Sequence, residues 1–277
     1  MRSVKAILFA VVVVSSAFAQ QPIQLGWTNN MLRISGPQVP GDYVEIWYLE
    51  AFCRSGSTRR QWNETTIPHK TELVSSTPQK IRLRTKVEPS VILEHEITAR
   101  ADEVDFKVRA LNDGKEFTDV QWFQPCMRVD RFAGAKQSDY IEKSFIFVGG
   151  DAKLLAELPR NEDAVYRGGQ VYVPEGIPLA DVNPRPISDV RPANALIGCY
   201  SKDGKKLLAT AWDSTQELFQ GVIVCLHNDP RIGGLKPGES KALSGKVYIL
   251  ENNIPALLAR YQKDFPSSAP PAPSALK

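Results

Sequence analysis

A thiol and an imidazole stand two residues apart in the segment 221–230, which reads Gly-Val-Ile-Val-Cys-Leu-His-Asn-Asp-Pro. On a β-strand, side chains two residues apart lie on the same face of the sheet, so Cys225 and His227 could act together. A cysteine serves as a base or nucleophile once a neighbouring group lowers the pKa of its thiol. Buried packing is the preferred interpretation of Cys225, and a reactive thiol or a disulfide are the alternatives.

His227 ends the apolar part of this segment and is followed by Asn-Asp-Pro, which predicts a turn that begins at His227. Such a turn holds polar side chains in fixed positions, so we predict that His227 and Asp229 lie at the rim of a cleft and contact a ligand. The alternative is that the triplet only caps the turn. If the protein is an enzyme, His227 is the predicted acid or base.

Aromatic and amide side chains indicate a second kind of chemistry, the binding of sugars. A pyranose presents apolar C–H faces to aromatic rings and a rim of hydroxyls to polar groups. The predicted ligand-binding residues are Trp122, Gln124, Arg128, Trp212, His227 and Asp229. A place in the core is the favoured interpretation of each tryptophan taken alone, and a charged surface explains Arg128 equally well.

Alternation of apolar and polar residues positions these groups on antiparallel strands. It is clearest in residues 44–49, 81–87 and 104–110. Residues 201–205 predict a hairpin turn, and one helix is predicted from Pro255 to Lys263. The patterns predict an all-β protein of two packed antiparallel sheets, with fewer than about one-seventh of its residues in helices.

The irregular stretch 153–192 is rich in Pro and Gly and contains one predicted strand at residues 170–173. Long irregular stretches of β proteins often form the walls of a cleft, and we expect that role here. His95 shares a strand face with Leu93 and Ile97, so a hydrogen-bonded core histidine is its preferred interpretation.

The N-terminal end of the chain predicts export, and the C-terminal end predicts a disordered tail. Residues 1–19 have the basic start, the apolar stretch and the Ala17-Phe-Ala19 ending of a secretory signal peptide, so the protein is predicted to be secreted or periplasmic. Residues 20–265 are predicted to form one domain, and residues 266–277, which are Pro, Ala and Ser in the main, a disordered tail. Membrane insertion is not predicted, because the apolar stretch is too short to span a bilayer.

The charge and the cysteines narrow the choice of partners and cofactors. Without Arg2 and Lys5 the formal charge falls from +3 to +1, which gives no support for binding to nucleic acid. The four cysteines allow three disulfide pairings, and the sequence does not choose among them: Cys53, Cys126, Cys199 and Cys225. Their spacing does not match a zinc motif, so no metal and no other cofactor is predicted.

Residues 221–230, followed by Leu-Lys-Pro-Gly-Glu at 235–239, resemble the signature of the galactose mutarotase family. The family segment reads Gly-Val-x-Leu-Glu-x-Gln-x-x-Pro, and its glutamate is the base that deprotonates the anomeric hydroxyl. Cys225 stands at the place of that glutamate and His227 at the place of the glutamine. Residues 96–129 are similar to the family's preceding hairpin, but the positions near Gln124 and Cys126 hold no histidine, unlike the family's Asn-His pair.

The resemblance covers about half of the chain and implies a mutarotase-type β supersandwich with one short C-terminal helix. It also implies a cleft that binds a carbohydrate. Because both expected catalytic positions differ, mutarotase activity is not expected. A noncatalytic carbohydrate-binding protein is favoured, while an epimerase, lyase or hydrolase that uses His227 and a structural or protein-interaction domain are the alternatives. The sugar and the oligomeric state stay open.

Overall fold

The computed structural model describes residues 22–266. The predicted signal peptide, residues 1–19, and all but the first residue of the predicted tail lie outside the described residues. Among the helices of residues 22–266, none is both long enough and apolar enough to cross a membrane.

Strands make up 48% of the structure and helices 15%. The strands, in chain order, are β1 (Gln24–Thr28), β2 (Met31–Ser35), β3 (Tyr43–Cys53), β4 (Thr66–Ile67), β5 (His69–Thr77), β6 (Lys80–Val87), β7 (Val91–Ala99), β8 (Glu103–Asn112), β9 (Trp122–Arg128), β10 (Ser144–Val148), β11 (Asp151–Leu154), β12 (Gln170–Tyr172), β13 (Ile197–Tyr200), β14 (Lys206–Trp212), β15 (Thr215–Gln220), β16 (Cys225–Pro230) and β17 (Ser240–Glu251). The helices are α1 (Trp62–Thr65), α2 (Asp130–Ala133), α3 (Glu162–Arg167) and α4 (Ile254–Asp264).

The strands form two antiparallel sheets, as the sequence predicted. The first sheet has the order β1-β2-β3-β9-β16-β15-β12, with β4 paired to β3. The second sheet has the order β11-β10-β13-β14-β17-β8-β7-β6-β5. The predicted all-β fold with one C-terminal helix is confirmed, since α4 is the one helix of seven or more residues in the described part of the chain.

Helix content is slightly above the predicted limit of one-seventh. The excess comes from short helical turns in the connecting segments: α1 and α2 have four residues each, and four 3-10 turns have three residues each, at 57–59, 140–142, 155–157 and 179–181. A single helical turn is too short to show an apolar period of 3.6 residues, so the pattern analysis could not find it.

Strand alternation builds the core between the two sheets. In β6, every second residue is buried, so Ile81 and Leu83 face the core while Arg82 and Arg84 face solvent. Phe106 of the second sheet stacks on Tyr48 of the first, with 5.3 Å between ring centroids. Each fully buried aromatic side chain contributes about 1.5–3 kcal/mol to folding.

The outer face of each sheet has its own cover. On the second sheet, Leu257 and Tyr261 of α4 pack against Phe145 and Tyr248. On the first sheet, the cover consists of residues 54–65 and of the irregular stretch around residue 181. The Asp181 carboxylate accepts a hydrogen bond from the Gly56 N–H at 2.8 Å, and its carbonyl accepts one from Trp122 Nε1 at 3.0 Å. These bonds fasten both covering segments over the sheet.

Candidate functional site

The outer face of β16 carries three polar side chains in alternation, those of Cys225, His227 and Asp229. The residues between them face the second sheet; Asn228 Nδ2, for example, donates a hydrogen bond to the Ala195 carbonyl. The prediction that a turn begins at His227 is wrong, because β16 extends to Pro230 and pairs with β15 through His227 and Phe219. His227 therefore lies in mid-strand.

Strand pairing brings a second thiol next to the first. β16 pairs antiparallel with β9, with Leu226 opposite Met127, and this register sets Cys126 beside His227 on the outer face. Cys225 Sγ lies 3.2 Å from His227 Nε2. One ligand atom from each of Cys126, Cys225 and His227 lies within 4.8 Å of the other two, and all three residues are buried. These three side chains, here called the thiol-imidazole cluster, could hold a metal ion.

Gly221 makes room for the cluster. A Cβ atom at this position would overlap Cys225 Sγ and lie 3.3 Å from His227 Nε2. The Gly221 N–H donates to the Cys225 carbonyl at 3.0 Å, so the tight bend at 222–224 folds the chain back directly over the thiol. Any side chain at residue 221 would have to displace the cluster.

The electrostatics of the cluster favour a thiolate and an imidazolium. Hydrogen bonding from Cys225 and the charge of His227 hold the pKa of Cys126 below its ordinary value, against the opposing effect of burial. Burial lowers the pKa of His227, but the two thiols and Asp229 outweigh it and raise the pKa above its ordinary value. The Cys126 thiol is thus the acidic member, and Cys225 keeps its proton because its own pKa is raised by Cys126.

Two carboxyl groups stand behind His227. Asp229 Oδ1 lies 3.7 Å from His227 Nδ1, and Glu217 on β15 pairs with Asp229 across the strands. One oxygen of Glu217 accepts the Asn183 N–H at 2.8 Å, whereas neither oxygen of Asp229 has a hydrogen-bond partner among the described residues. Burial raises the pKa of Asp229 to about 6 and that of Glu217 well above its ordinary value.

Glu50 approaches the cluster from β3. Plain alternation would put Glu50 on the core face with Tyr48, but the register of β3 against β9 shifts between Trp47 and Ala51. This bulge turns Glu50 to the outer face. Burial raises its pKa to about 7, and the charge of His227 opposes that rise.

Two adjoining cavities open above these groups. The inner cavity has a volume of about 220 Å³ and is bordered by the thiol-imidazole cluster and by Gln124, Asn183 and Arg185. The outer cavity, of about 610 Å³, is bordered by Trp47, Arg54 and His69 among others. Glu50 and Trp62 border both cavities and so mark the passage between them.

The predicted ligand-binding residues fall into two groups. His227 and Gln124 border the inner cavity, and Asp229 lies directly behind His227, fully buried. Trp122 is buried beneath the covering segment that contains Asp181.

The other two predicted residues lie elsewhere. Arg128 borders a separate surface cavity of about 340 Å³, together with Tyr43 and Arg131. Trp212 belongs to the second sheet, where its ring packs in the core with Phe106 and Phe123, at centroid distances of 5.6 and 5.7 Å. The structure therefore does not bring Trp212 to the inner cavity.

Sequence analysis did not select Glu50, Trp62, Cys126, Asn183 or Arg185 as site residues. For Glu50 a signal was present, because a carboxylate in line with Ile46 and Tyr48 on an apolar strand face is anomalous. Asn183 and Arg185 lie in the irregular stretch that was expected to form a cleft wall, and both border the inner cavity. No periodic pattern marks single residues in such a stretch.

Comparison with known proteins gives structural neighbours only. No family model matches the chain, and no curated protein does. A galactose mutarotase related enzyme from Lactobacillus acidophilus is 8% identical, with a TM-score of 0.44 over 84% of this chain and 98% of that one. A galactose 1-epimerase from Lactobacillus acidophilus is 9% identical, with a TM-score of 0.43 over 84% and 99%.

A galactose mutarotase-like protein from Lactobacillus casei is 12% identical, with a TM-score of 0.41 over 82% of this chain and 99% of that one. The structural neighbours are thus galactose mutarotase-like and aldose 1-epimerase proteins, the group that the sequence resemblance indicated. Likeness of this size concerns the fold alone.

Proposed function

We propose that the protein binds a carbohydrate in the inner and outer cavities. The observation that carries the proposal is the position of Trp62, which is 41% exposed and borders both cavities beside the carboxyl group of Glu50. An exposed indole next to fixed polar groups is the combination that a pyranose requires, since its C–H faces stack on the ring and its hydroxyls take hydrogen bonds.

The outer cavity supplies a second exposed indole. Trp47, which is 37% exposed, borders it together with Trp62, so two indoles are available to successive sugar rings. The inner cavity supplies the polar groups, because Gln124 and Asn183 already share a hydrogen bond of 3.3 Å there and are held in place before a ligand arrives. At about 220 Å³ the inner cavity is smaller than the roughly 300–1,000 Å³ of a drug-sized site, which favours a single sugar unit there.

A second candidate function is a carbohydrate-active enzyme that uses His227 as acid or base. The observation in its favour is that His227 and Glu50 border the same inner cavity, so one ligand could contact both. Acid-base catalysis requires two such groups within hydrogen-bond reach of the reacting atoms. We do not expect mutarotation, because the position of the family base holds Cys225.

The test of binding is a glycan-array screen of the full chain, followed by calorimetry with the best ligand. Trp62→Ala should weaken binding by about 1–3 kcal/mol, the cost of removing an aromatic side chain on which a ligand ring such as a nucleobase stacks. Tyr166→Ala is the matched control, because Tyr166 is an aromatic residue 88% exposed outside both cavities. Equal affinity of the wild type and a folded Trp62→Ala variant would contradict the proposal.

Turnover separates the two candidates. The same ligand is incubated with the wild type and with His227→Gln, and products are followed by mass spectrometry and polarimetry. Product formation that disappears in His227→Gln establishes the enzyme, and binding without product formation supports recognition alone. Mutarotation of glucose or galactose by the wild type would show that another group replaces the family's glutamate.

We also propose that the protein acts outside the cytoplasm. The proposal rests on the signal-peptide pattern of residues 1–19. Cell fractionation and sequencing of the mature N-terminus test it, and we expect a start at Gln20. A cytoplasmic protein that retains residues 1–19 would refute it.

A further inference from the structure

We propose that the thiol-imidazole cluster of Cys126, Cys225 and His227 binds a zinc ion at the floor of the inner cavity. This inference goes beyond carbohydrate binding and does not depend on it. The ligand set contains two sulfurs and one imidazole nitrogen, which is a combination that Zn²⁺ accepts. Mg²⁺ and Ca²⁺ require oxygen ligands and are disfavoured by the two thiols.

The geometry already approaches the one that zinc imposes. Zinc bonds of about 2.3 Å to sulfur and about 2.0–2.1 Å to nitrogen, in a tetrahedron, require ligand atoms about 3.3–3.8 Å apart. In the structure, Cys225 Sγ and His227 Nε2 are 3.2 Å apart, and every pair in the cluster is within 4.8 Å. The remaining adjustment is on the order of 1 Å and requires no change of register.

Buried carboxyl oxygens without partners in the described part of the chain lie around the cluster. Asp229 is fully buried with both oxygens unpartnered among the described residues, and one oxygen of Glu217 is also buried without a partner. Glu50 adds a third carboxyl with an unpartnered buried oxygen. Among the positive groups, His227 and Arg185 border the same cavity, and the charge of Arg128, which borders the separate surface cavity, acts on Glu50. These carboxyl groups would stabilise a divalent ion bound at the cluster.

Asp229 also occupies the place of an outer-sphere partner. Zinc-bound imidazoles usually donate their second N–H to a carboxylate, which fixes the tautomer and the ring orientation. His227 Nδ1 has no hydrogen-bond partner among the described residues and faces Asp229 Oδ1 at 3.7 Å. A shift of less than about 1 Å would close this hydrogen bond. When zinc is bound at Nε2, the imidazole proton is on Nδ1. This N–H can then donate a hydrogen bond to Asp229.

An ion held by these three residues would have its open coordination position toward the inner cavity, because all three residues border that cavity. Zinc sites with three protein ligands and one open position bind water or a substrate oxygen there, whereas structural zinc sites have four protein ligands. The site therefore fits a zinc ion that meets the ligand of the cavity. Glu50 borders the same cavity, so its carboxylate could accept a proton from an oxygen bound there.

The first test measures zinc directly. The full chain is purified with a reductant, stripped with a chelator and titrated with ZnCl₂ against a chromophoric competitor. We expect one zinc per chain, and with Co²⁺ as a probe we expect a thiolate-to-metal charge-transfer band. A wild-type protein that binds no zinc in the micromolar range would overturn the proposal.

Variants assign the site. Cys126→Ser and Cys225→Ser should each weaken zinc binding by more than about 100-fold, and Asp229→Asn by about 10–100-fold, the cost of an outer-sphere partner. The matched controls Cys53→Ser and Cys199→Ser remove the other two buried thiols and should keep full affinity. Retained stoichiometry in a Cys126→Ser/Cys225→Ser double variant would place zinc elsewhere and refute the site.

Two further measurements distinguish loss of the zinc site from misfolding and from oxidation of the thiols. Circular dichroism confirms that each variant is folded, and the thermal shift that zinc produces in the wild type should be absent in ligand variants that fold. Mass spectrometry of protein from its native compartment reports the state of the thiols. A Cys126–Cys225 disulfide that persists there would replace the zinc site with a redox pair and overturn the proposal.

Discussion

Two buried histidines, His95 and His227, lie in similar local sequence patterns but in different surroundings. Both lie in mid-strand, both alternate with their neighbours, and both are 2% exposed. His95 points into the core between the sheets, while His227 points to the outer face of the first sheet. The two histidines are equally buried, and their surroundings differ.

His95 has neutral partners for both ring nitrogens. Tyr48 Oη lies 3.2 Å from Nδ1 and Thr85 Oγ1 lies 3.2 Å from Nε2, and the rings of Tyr48 and Phe123 pack around the imidazole. Burial lowers the pKa of His95 to about 3, so the ring is neutral. His227 instead has an unpartnered nitrogen, two thiols and a carboxylate nearby, and its pKa is raised. A satisfied neutral ring stabilises the fold, whereas an unsatisfied ring in a charged cavity is available to a ligand.

The largest expected effect comes from acid acting on His95. The folded pKa of about 3 lies below the unfolded value of about 6.5, so between these pH values the unfolded chain binds a proton that the folded chain does not. The contribution of His95 to stability is complete above pH 6.5 and is lost as the pH falls, by about 1.4 kcal/mol per unit, until pH 3. Near pH 3.5 the loss is about 4 kcal/mol.

Urea unfolding of the wild type and of His95→Gln, between pH 7 and pH 3.5, measures this loss. The difference between the two slopes isolates His95 from the carboxylates, which titrate in both proteins. Identical slopes would mean that His95 has the same pKa in the folded and the unfolded protein, and the contrast between the two histidines would disappear.

The second largest effect on stability is expected when the His95 side chain is replaced. His95→Leu should lower the free energy of unfolding by about 3 kcal/mol, because the Tyr48 hydroxyl loses its partner in a dry core. Thr85 keeps a hydrogen bond to Thr71 Oγ1 at 2.9 Å and adds little to the cost.

A double-mutant cycle with Tyr48→Phe sharpens this measurement. Tyr48→Phe should cost about 1 kcal/mol in the wild type and nothing, or a small gain, in the His95→Leu background, since an apolar pair leaves no orphaned hydroxyl. Strictly additive costs would show that the two side chains do not share the hydrogen bond.

The contrast between the histidines also shows what a sequence can predict. Strand alternation correctly placed His95 in the core, and it placed Cys225 and His227 on one face. Short turn signals were correct for the hairpin between β13 and β14 and for the helix that begins near Pro255. These features depend on residues that are close in the chain, so local patterns contain them.

The remaining features depend on pairing between distant strands. Cys126 meets His227 only because β9 lies beside β16, about one hundred residues later in the chain, and Glu50 reaches the site only through a bulge in β3. The turn predicted at His227 failed for the same reason, because pairing with β15 kept the Asn-Asp-Pro segment extended in spite of its local preference.

A smaller effect on stability is expected at Gly221. Gly221→Ala should cost about 2 kcal/mol, because the added methyl group overlaps Cys225 Sγ and the bend at 222–224 has little room to relax. Gly26→Ala is the control, since a Cβ there meets Arg33 Cβ at an ordinary 3.7 Å, and its cost should stay within about 0.5 kcal/mol. Chemical denaturation measures both. Equal costs would show that the bend over Cys225 yields easily.

The smallest effect on the free energy of unfolding is expected at His227. His227→Gln should change the free energy of unfolding of the metal-free protein by less than about 1 kcal/mol, although His227 is buried as deeply as His95. His227 carries its charge at a desolvation cost and has an unpartnered nitrogen, and Cys126 can take back a proton when the imidazolium is removed. Sites that serve a ligand are seldom optimised for stability.

Denaturant titrations of His227→Gln and His95→Gln at pH 7, made side by side, compare the two positions. If His227→Gln proved the more costly, the histidine of the inner cavity would be holding the fold together, and its availability to a metal or a sugar would lose its physical basis.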